Sequence, residues 1–285
     1  MMIDRRMFLI SASAFAATPA LAKEAPSALR AYERDSGGRM GVFAKNLTSG
    51  AELSWRADDR FVMCSTFKAS LAACVLARVD RGQDRLDATV PYTQKELLAY
   101  APVAKENLAR GALSVGEMAK AIVELSDNTC ANLLLARIGG PQALTKFWRD
   151  HGDNTSRLDH DEPELNRTPP GKLEDTTTPR AMATTLQRLA LGNALQPGSR
   201  AQLTEWMVNC KTGANRLRAG LPASWKIGDK TGNNGKDAAG DIAVVWPAPD
   251  RPVIIAAYTR GGKPTSTQLN TVFKAIGEMV GQQLG

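Results

Sequence analysis

The sequence predicts an α/β lobe built from both ends of the chain and an all-α lobe built from its middle, with a cleft between them. Three observations predict it. Apolar residues alternate as in a strand from Met40 to Trp55 and again only from Trp225 onward. Helical spacing fills the stretch between, and the final stripe Leu269, Val272, Phe273, Ile276 and Val280 reads as a helix able to cover a sheet. At 285 residues, 43% hydrophobic and 23% charged, the composition is globular and excludes fibrous, disordered and membrane-spanning classes.

The chain begins with Arg5-Arg6, an apolar run from Met7 to Ala17, and Ala20-Leu21-Ala22 as an A-x-A-like cleavage site. Residues 1–22 therefore read as a removable export signal, and the mature protein as periplasmic or secreted. Asp4 to Leu9 resembles a twin-arginine signal, with a general secretory signal as the alternative. The segment is too short for a membrane anchor. After a short helical stretch around Leu29 and Tyr32, the run Met40 to Trp55 turns at Thr48-Ser49-Gly50 and predicts an antiparallel hairpin. Helical patterns follow at Thr66 to Val79, Val115 to Leu125, Cys130 to Ile138 closed by Gly139-Gly140-Pro141, and Arg180 to Leu191. Residues 157–178 are rich in Pro, Asp, Glu and Thr without a period, and predict a long functional loop. Trp225 to Gly232, Ile242 to Trp246 and Val253 to Thr259 predict three consecutive antiparallel strands. The expected division gives residues 23–60 with 212–285 to the α/β lobe, and 61–211, with the 157–178 loop, to the all-α lobe.

Loss of the signal removes two arginines and one aspartate and leaves +6 of the formal +7. The basic residues are scattered, with no aromatic-interleaved block, which argues against a nucleic-acid partner. Such a surface serves solubility, or a mild preference for anionic substrates or envelope; the expected partner is a small molecule, and the expected state a monomer without stable membrane association. Cys64, Cys74, Cys130 and Cys210 form no C-x-x-C pair, so buried free thiols are expected and not a zinc or redox site. Only two histidines exist, His151 and His160, both in polar, loop-like sequence. A Ser-His-Asp triad is hard to build from them, and a three-histidine metal site impossible. A serine nucleophile must take its base from a lysine or a carboxylate, and no cofactor is implied.

Ser65-Thr66-Phe67-Lys68 offers such a pair, since i and i+3 share one helix face and a serine at the helix start meets free N–H groups. The same spacing also suits a helix cap followed by a surface lysine. Ser126-Asp127-Asn128 must lie on a turn if residues 126 and 128 act on one substrate, and it also suits an N-cap. Lys-Thr-Gly occurs at 211–213, where it reads as the stop of the helical stretch Ala201 to Asn209, and at 230–232, where it ends a strand. A glycine in an edge strand lets a ligand amide lie against the backbone, beside a cation and a hydroxyl suited to a carboxylate. Lys230, Thr231 and Gly232 are therefore the expected binding set. Glu162 and Asn166, four apart, can hold a water between them across one helical turn, unless the loop is simply a solvated acidic one.

In this order the clusters resemble the class A serine β-lactamases, over essentially the whole mature chain. The resemblance implies the serine β-lactamase/D,D-peptidase-like fold, an antiparallel sheet flanked by terminal helices beside a helical lobe. It implies hydrolysis of penicillin- and cephalosporin-type antibiotics through an acyl-enzyme. By position Ser65 matches the nucleophile, Lys68 its helical partner, Ser126 the proton relay to the lactam nitrogen and Asn128 the amide that grips the substrate's acylamide. Glu162 and Asn166 match the pair that positions the hydrolytic water. The oxyanion hole falls on the N–H groups of Ser65 and Asn233, Tyr100 matches the aromatic residue at the cleft mouth, and Arg216, with Thr212, matches an arginine that strengthens carboxylate binding. A free lysine needs about 4.6 kcal/mol to be neutral at pH 7, whereas a free glutamate is already ionised. Glu162 is thus the cheaper base for deacylation, while acylation leaves Lys68 and Glu162 as alternatives.

Three features depart from the family's pattern. His160 stands where an arginine usually pairs with the loop aspartate, here Asp175, so the loop contact is expected to weaken as histidine deprotonates. Asn234 replaces the small residue or cysteine, so Cys64 lacks the partner of the carbapenemase disulfide, and a broad carbapenem spectrum is not implied. Glu162-Pro163 falls where the family often has a cis peptide, and cis is expected. The nearest rivals, a penicillin-binding D,D-peptidase and a non-catalytic β-lactam sensor, share the first motifs but acylate and stall.

Overall fold

A computed structural model describes residues 26–285; the export-signal reading of residues 1–22 lies outside them. In chain order the elements are α1 (Ser27–Ser36), β1 (Arg39–Asn46), β2 (Glu52–Trp55), β3 (Phe61–Val62), α2 (Phe67–Asp80), β4 (Thr89–Pro91), α3 (Pro102–Glu106), β5 (Ala112–Ser114), α4 (Val115–Glu124), α5 (Asn128–Ile138) and α6 (Pro141–Asp150). After the long loop come β6 (Thr176–Thr177), α7 (Pro179–Ala190), α8 (Pro197–Val208), α9 (Leu217–Gly220), β7 (Lys226–Asn233), β8 (Ala239–Trp246), β9 (Val253–Arg260) and α10 (Ser266–Leu284).

Five antiparallel strands form the main sheet in the order β2-β1-β9-β8-β7. The expected hairpin and the three late strands are thus one sheet, zipped by the long-range β1–β9 pairing. Its central strands carry apolar residues on both faces, as a sheet covered on both sides requires. Phe43, Ile242, Val244, Ile254, Ala256 and Tyr258 point into the core shared with the helical middle. Their neighbours Val42, Ala44, Ala243, Val245, Ile255 and Ala257 point into a second core under the terminal helices, with Leu29, Val272, Phe273, Ile276 and Val280. Each fully buried aliphatic or Phe side chain contributes roughly 1.5–3 kcal/mol. Where α9 meets α10 the helices touch by backbone: a Cβ on Gly277 would lie 2.3 Å from Leu217 O.

Helix α2 is buried almost all round, from Phe67 to Ala77, which makes it the axis of the helical middle. Its small residues Ala69, Ala72, Ala73 and Ala77 let α4, α5, α6 and α8 pack close. Helix α7 packs against β1, β8 and β9, so the helical segment also supplies the cover for the sheet's inner face. The expected stop at Gly139-Gly140-Pro141 is present: Gly139 takes the left-handed conformation and Pro141 opens α6. Residues 157–178 are mostly irregular, interrupted only by a 3₁₀ turn at Glu164–Asn166 and by β6.

Candidate active site

Ser65 stands in a 3₁₀ turn, Cys64–Thr66, that runs into α2. Cys64 has φ +46°, a left-handed conformation that costs a non-glycine residue about 1–3 kcal/mol, so packing must hold it there. Gly232 is part of that packing. A Cβ at Gly232 would lie 2.7 Å from Ser65 N and 2.9 Å from Cys64 Cβ. β7 is an edge strand, as expected, and the bare backbone of Gly232 also makes room for the chain's own Cys64–Thr66 turn.

Asp127 explains the Ser126-Asp127-Asn128 turn. Its Oδ1 accepts the N–H of Cys130 and caps α5, while Oδ2 accepts those of Val103 and Ala104 at the start of α3. One carboxylate therefore fixes two helix starts, and Asn128 N donates to Tyr100 O at 3.0 Å. Asn128 opens α5 two residues earlier than its apolar pattern indicates, because the cap and not the pattern sets the start. Ser126, with φ +60°, turns out of the helix, so both side chains reach the cleft.

Lys68 is fully buried, and four oxygens lie within 3.0 Å of its Nζ: Ser65 Oγ at 3.0 Å, Ser126 O at 2.9 Å, Asn128 Oδ1 at 2.5 Å and Glu162 Oε1 at 3.0 Å. An ammonium has three protons, so these acceptors compete. The Ser65 hydroxyl donates to Glu162 Oε1 at 3.1 Å, and amine, hydroxyl and carboxylate form one proton network. Burial pushes the Lys68 amine below the ordinary lysine range, and the adjacent Glu162 carboxylate opposes that shift. Across the cleft the buried Lys230 donates to Ser126 Oγ at 3.0 Å and to Thr231 O at 2.6 Å. Burial pushes it down to about 8, with repulsion from Lys68 acting in the same direction.

Glu162 is held by its backbone. Its N–H donates to Asn132 Oδ1 at 2.9 Å, and Asn132 Nδ2 donates back to Glu162 O at 2.8 Å. Sequence reasoning missed Asn132, although it lies one helical turn after Asn128 and so shares its face. Asn166 Nδ2 donates to Glu162 Oε2 at 2.6 Å, while Asn166 Oδ1 is buried with no donor among the described residues. The Glu162-Pro163 bond is cis, as expected.

On the far wall Thr231 Oγ1 and Thr212 Oγ1 lie 2.5 Å apart. Arg216, buried and stacked over Phe273, donates to Gly232 O and Gly240 O, both at 2.8 Å. It holds β7 and β8 together at the cleft edge. Beneath it Asp229 and Asp241 are fully buried, and burial pushes both carboxyls up, with the charge of Asp229 adding to the shift at Asp241. Arg218 pairs with Asp229. Ser65, Tyr100, Ser126, Asn128, Glu162, Asn166, Thr212, Arg216, Thr231, Gly232 and Asn233 all line one cleft of about 860 Å³, with Lys68 and Lys230 in its floor. Tyr100 is half-exposed at the mouth. Lys68, Lys230, Lys236, Arg167 and Arg216 against Glu162 and Asp237 leave the cleft electropositive, which suits an anionic substrate.

The four cysteines are buried free thiols. Asn234 shapes the β7–β8 turn, where its Oδ1 accepts the N–H groups of Lys236, Asp237 and Ala238. His151 ends α6 with its ring against Phe147 O and Phe147's ring. His160 pairs with Asp175 at 2.7 Å, and Asp175 also accepts the N–H groups of Asp159 and His160. The Asp175 hydrogen bond raises the His160 pKa above its ordinary value. The stabilisation is therefore complete below about pH 6.5 and is lost as pH rises through the higher folded value. Hydrogen exchange of residues 157–178, corrected for intrinsic rates, is expected to be faster at about pH 8 than at about pH 5, and the difference to vanish in His160→Arg. Equal protection at both pH values in the unaltered chain would refute this.

Residues 24–284 match a family model described as the β-lactamase enzyme family. β-Lactamase L2 of Stenotrophomonas maltophilia is 44% identical over 256 residues, covering 90% of this chain and 84% of that protein. The carbapenem-hydrolyzing β-lactamase KPC of Klebsiella oxytoca is 41% identical over 291 residues, covering 100% and 99%. Among solved structures, an ancestral (GNCA) class A β-lactamase superposes with a TM-score of 0.85 at 49% identity, covering 89% of this chain and 97% of that one. A β-lactamase from Xanthomonas campestris gives 0.87 at 45% identity, covering 91% and 97%.

Proposed function

The chain belongs to the class A β-lactamases, and from that premise we propose how its own residues open and release a β-lactam. It is a serine hydrolase of the lactam ring. Ser65 Oγ attacks the lactam carbonyl carbon and passes its proton into the Lys68–Glu162 pair. The N–H groups of Ser65 and Asn233 hold the oxyanion. The C–N bond breaks, and the nitrogen takes a proton from Ser126, which is reprotonated through Lys68 with the proton that left Ser65, so Glu162 is again a carboxylate before the water attacks. A water between Glu162 and Asn166 then gives a proton to Glu162 and attacks the ester, and Ser65 leaves with its proton restored.

Lys230 and Thr231 take the substrate carboxylate, with Thr212 and Arg216 behind them. Asn128 grips the acylamide, Gly232 keeps β7 against the nucleophile, and Tyr100 flanks the mouth. The observation that carries this reading is the placing of one hydroxyl between an amine at 3.0 Å and a carboxylate at 3.1 Å, with Asn166 on that carboxylate's other oxygen. The enzyme works as two lobes, 23–60 with 212–285 and 61–211, meeting at the cleft. It is exported to the periplasm or beyond, and acts as a monomer free of the membrane; among the described residues no helix is long and apolar enough to cross one.

Spectrophotometric assay with several penicillins and cephalosporins is expected to show many turnovers per enzyme. Release of a single equivalent followed by arrest would overturn the deacylation scheme. Because Lys230 loses its charge as pH rises through about 8, KM for carboxylate-bearing substrates is expected to climb there while kcat changes less. A KM flat across that range would remove Lys230 from carboxylate binding.

A further inference from the structure

Behind the loop that carries Glu162 lies a second cavity, of about 240 Å³, roughly the volume of eight waters in the liquid. The loop forms one wall, and the β7–β8 turn, the end of β9, β3 and the start of β1 form the others. Arg39, Arg60, Lys172 and Arg260 line it, against one acid, Asp237. Asp237 is already engaged, by Asn234 Nδ2 at 2.9 Å and by the N–H of Gly261 at 3.1 Å. Arg39 is neutralised by Asp59. The other three cations have no carboxylate within ion-pair distance among the described residues. Among the described residues Arg60 donates to Thr155 O and Thr176 Oγ1, Arg260 lies over the Phe61 ring at 5.5 Å, and Lys172 is exposed on the loop, where its charge helps to lower the Glu174 carboxyl. Burial and repulsion from Arg157 and Arg149, outside the cavity lining, push the Arg60 guanidinium down, and the Asp153 charge opposes that shift.

We propose that this cavity, which adjoins the catalytic cleft across a shared wall, is a second binding site for a small multivalent oxyanion of the phosphate or pyrophosphate class, held by Arg60, Lys172 and Arg260. Three cations from three different segments line one partly open space, and bidentate guanidinium groups match tetrahedral oxyanions. Lys172 belongs to the loop, whereas Arg60 and Arg260 belong to the sheet side, so a bound anion bridges the two. Asn166, Thr168, Pro169 and Pro170 of the loop, with Asn234 and Asp237 of the β7–β8 turn, face both this cavity and the cleft. Occupancy therefore stiffens the segment that holds the Glu162–Asn166 pair, a consequence that rests on the catalytic reading above, although the site itself does not.

The test is calorimetric titration of the mature enzyme with pyrophosphate at constant ionic strength, alongside thermal melting. Saturable binding with a raised Tm is expected. The exposed-loop variant Lys172→Glu is expected to weaken binding about tenfold or more, and Lys172→Glu with Arg260→Gln to abolish it, with lactam hydrolysis in the absence of anion unchanged in Lys172→Glu. Three outcomes would each overturn the proposal. These are no saturable binding, a Tm shift that chloride reproduces at equal ionic strength, and binding that competes with substrate but is indifferent to Lys172→Glu, which would place the anion in the catalytic cleft. Binding is read without reference to turnover, so it is judged independently of the catalytic scheme.

Discussion

Glu162→Gln is expected to convert a turning-over enzyme into one that stalls as its acyl-enzyme, with kcat reduced by roughly 10²–10⁴, the usual scale of a lost general base. The substitution is nearly isosteric, and the fold is expected to survive it. Lys68 keeps Ser65 Oγ, Ser126 O and Asn128 Oδ1, three acceptors for three protons. Asn132 keeps both its bonds, because they go to the Glu162 backbone. Mixing with a penicillin is expected to give a burst of one equivalent and an intact mass increased by the whole substrate. The burst rate then assigns the Ser65 proton: unchanged, it passes to Lys68; slowed about as much as kcat, it passes through Glu162. Steady turnover at the unaltered rate would remove Glu162 from the mechanism.

Lys68→Met is expected to strike the other half-reaction, lowering kcat/KM by roughly 10²–10⁴ with no accumulated acyl-enzyme. Methionine fills much the same volume without charge or N–H. Ser65 loses the donor proposed to steady its developing charge, and Ser126, the proposed relay to the leaving nitrogen, loses one of its two flanking cations, since Lys230 remains at 3.0 Å. The loss falls on acylation whichever group accepts the Ser65 proton. Stopped-flow acylation by a chromogenic cephalosporin measures it directly, and a rate within a few-fold of the unaltered enzyme would refute a role for the amine. Opposite phenotypes in the two variants, one stalled after acylation and one before it, are a stronger check than either alone.

Much of this site was legible from spacing. Ser65 with Lys68 and Glu162 with Asn166 are local pairs, three and four residues apart, and such pairs meet across one turn wherever the chain goes afterwards. The second Lys-Thr-Gly was separable from the first because one follows a helix and the other ends a strand. Asn132 was not legible as part of the site, because its contact is with the backbone of a segment thirty residues away, which leaves no local pattern. Nor was the reason for Gly232: its missing side chain answers to the Cys64–Thr66 backbone, brought beside it only by the fold. Ser126-Asp127-Asn128 suited a plain N-cap by sequence, whereas Asp127 caps α5 and α3 together and so fixes the Tyr100 segment against Ser126.

The amino-acid order by itself determined the element types, the antiparallel strands, the capped helices and the order of the reactive clusters, because backbone geometry and side-chain period act over a few residues. Tertiary structure alone decided the β1–β9 pairing that closes the sheet, the convergence of Ser65, Lys68 and Glu162, and the basic cavity behind the loop. The physical reason is range. Turns and caps are settled by neighbours along the chain, but burial of Lys68 and the charge balance around it exist only once α2, α5 and the loop have packed together and excluded water.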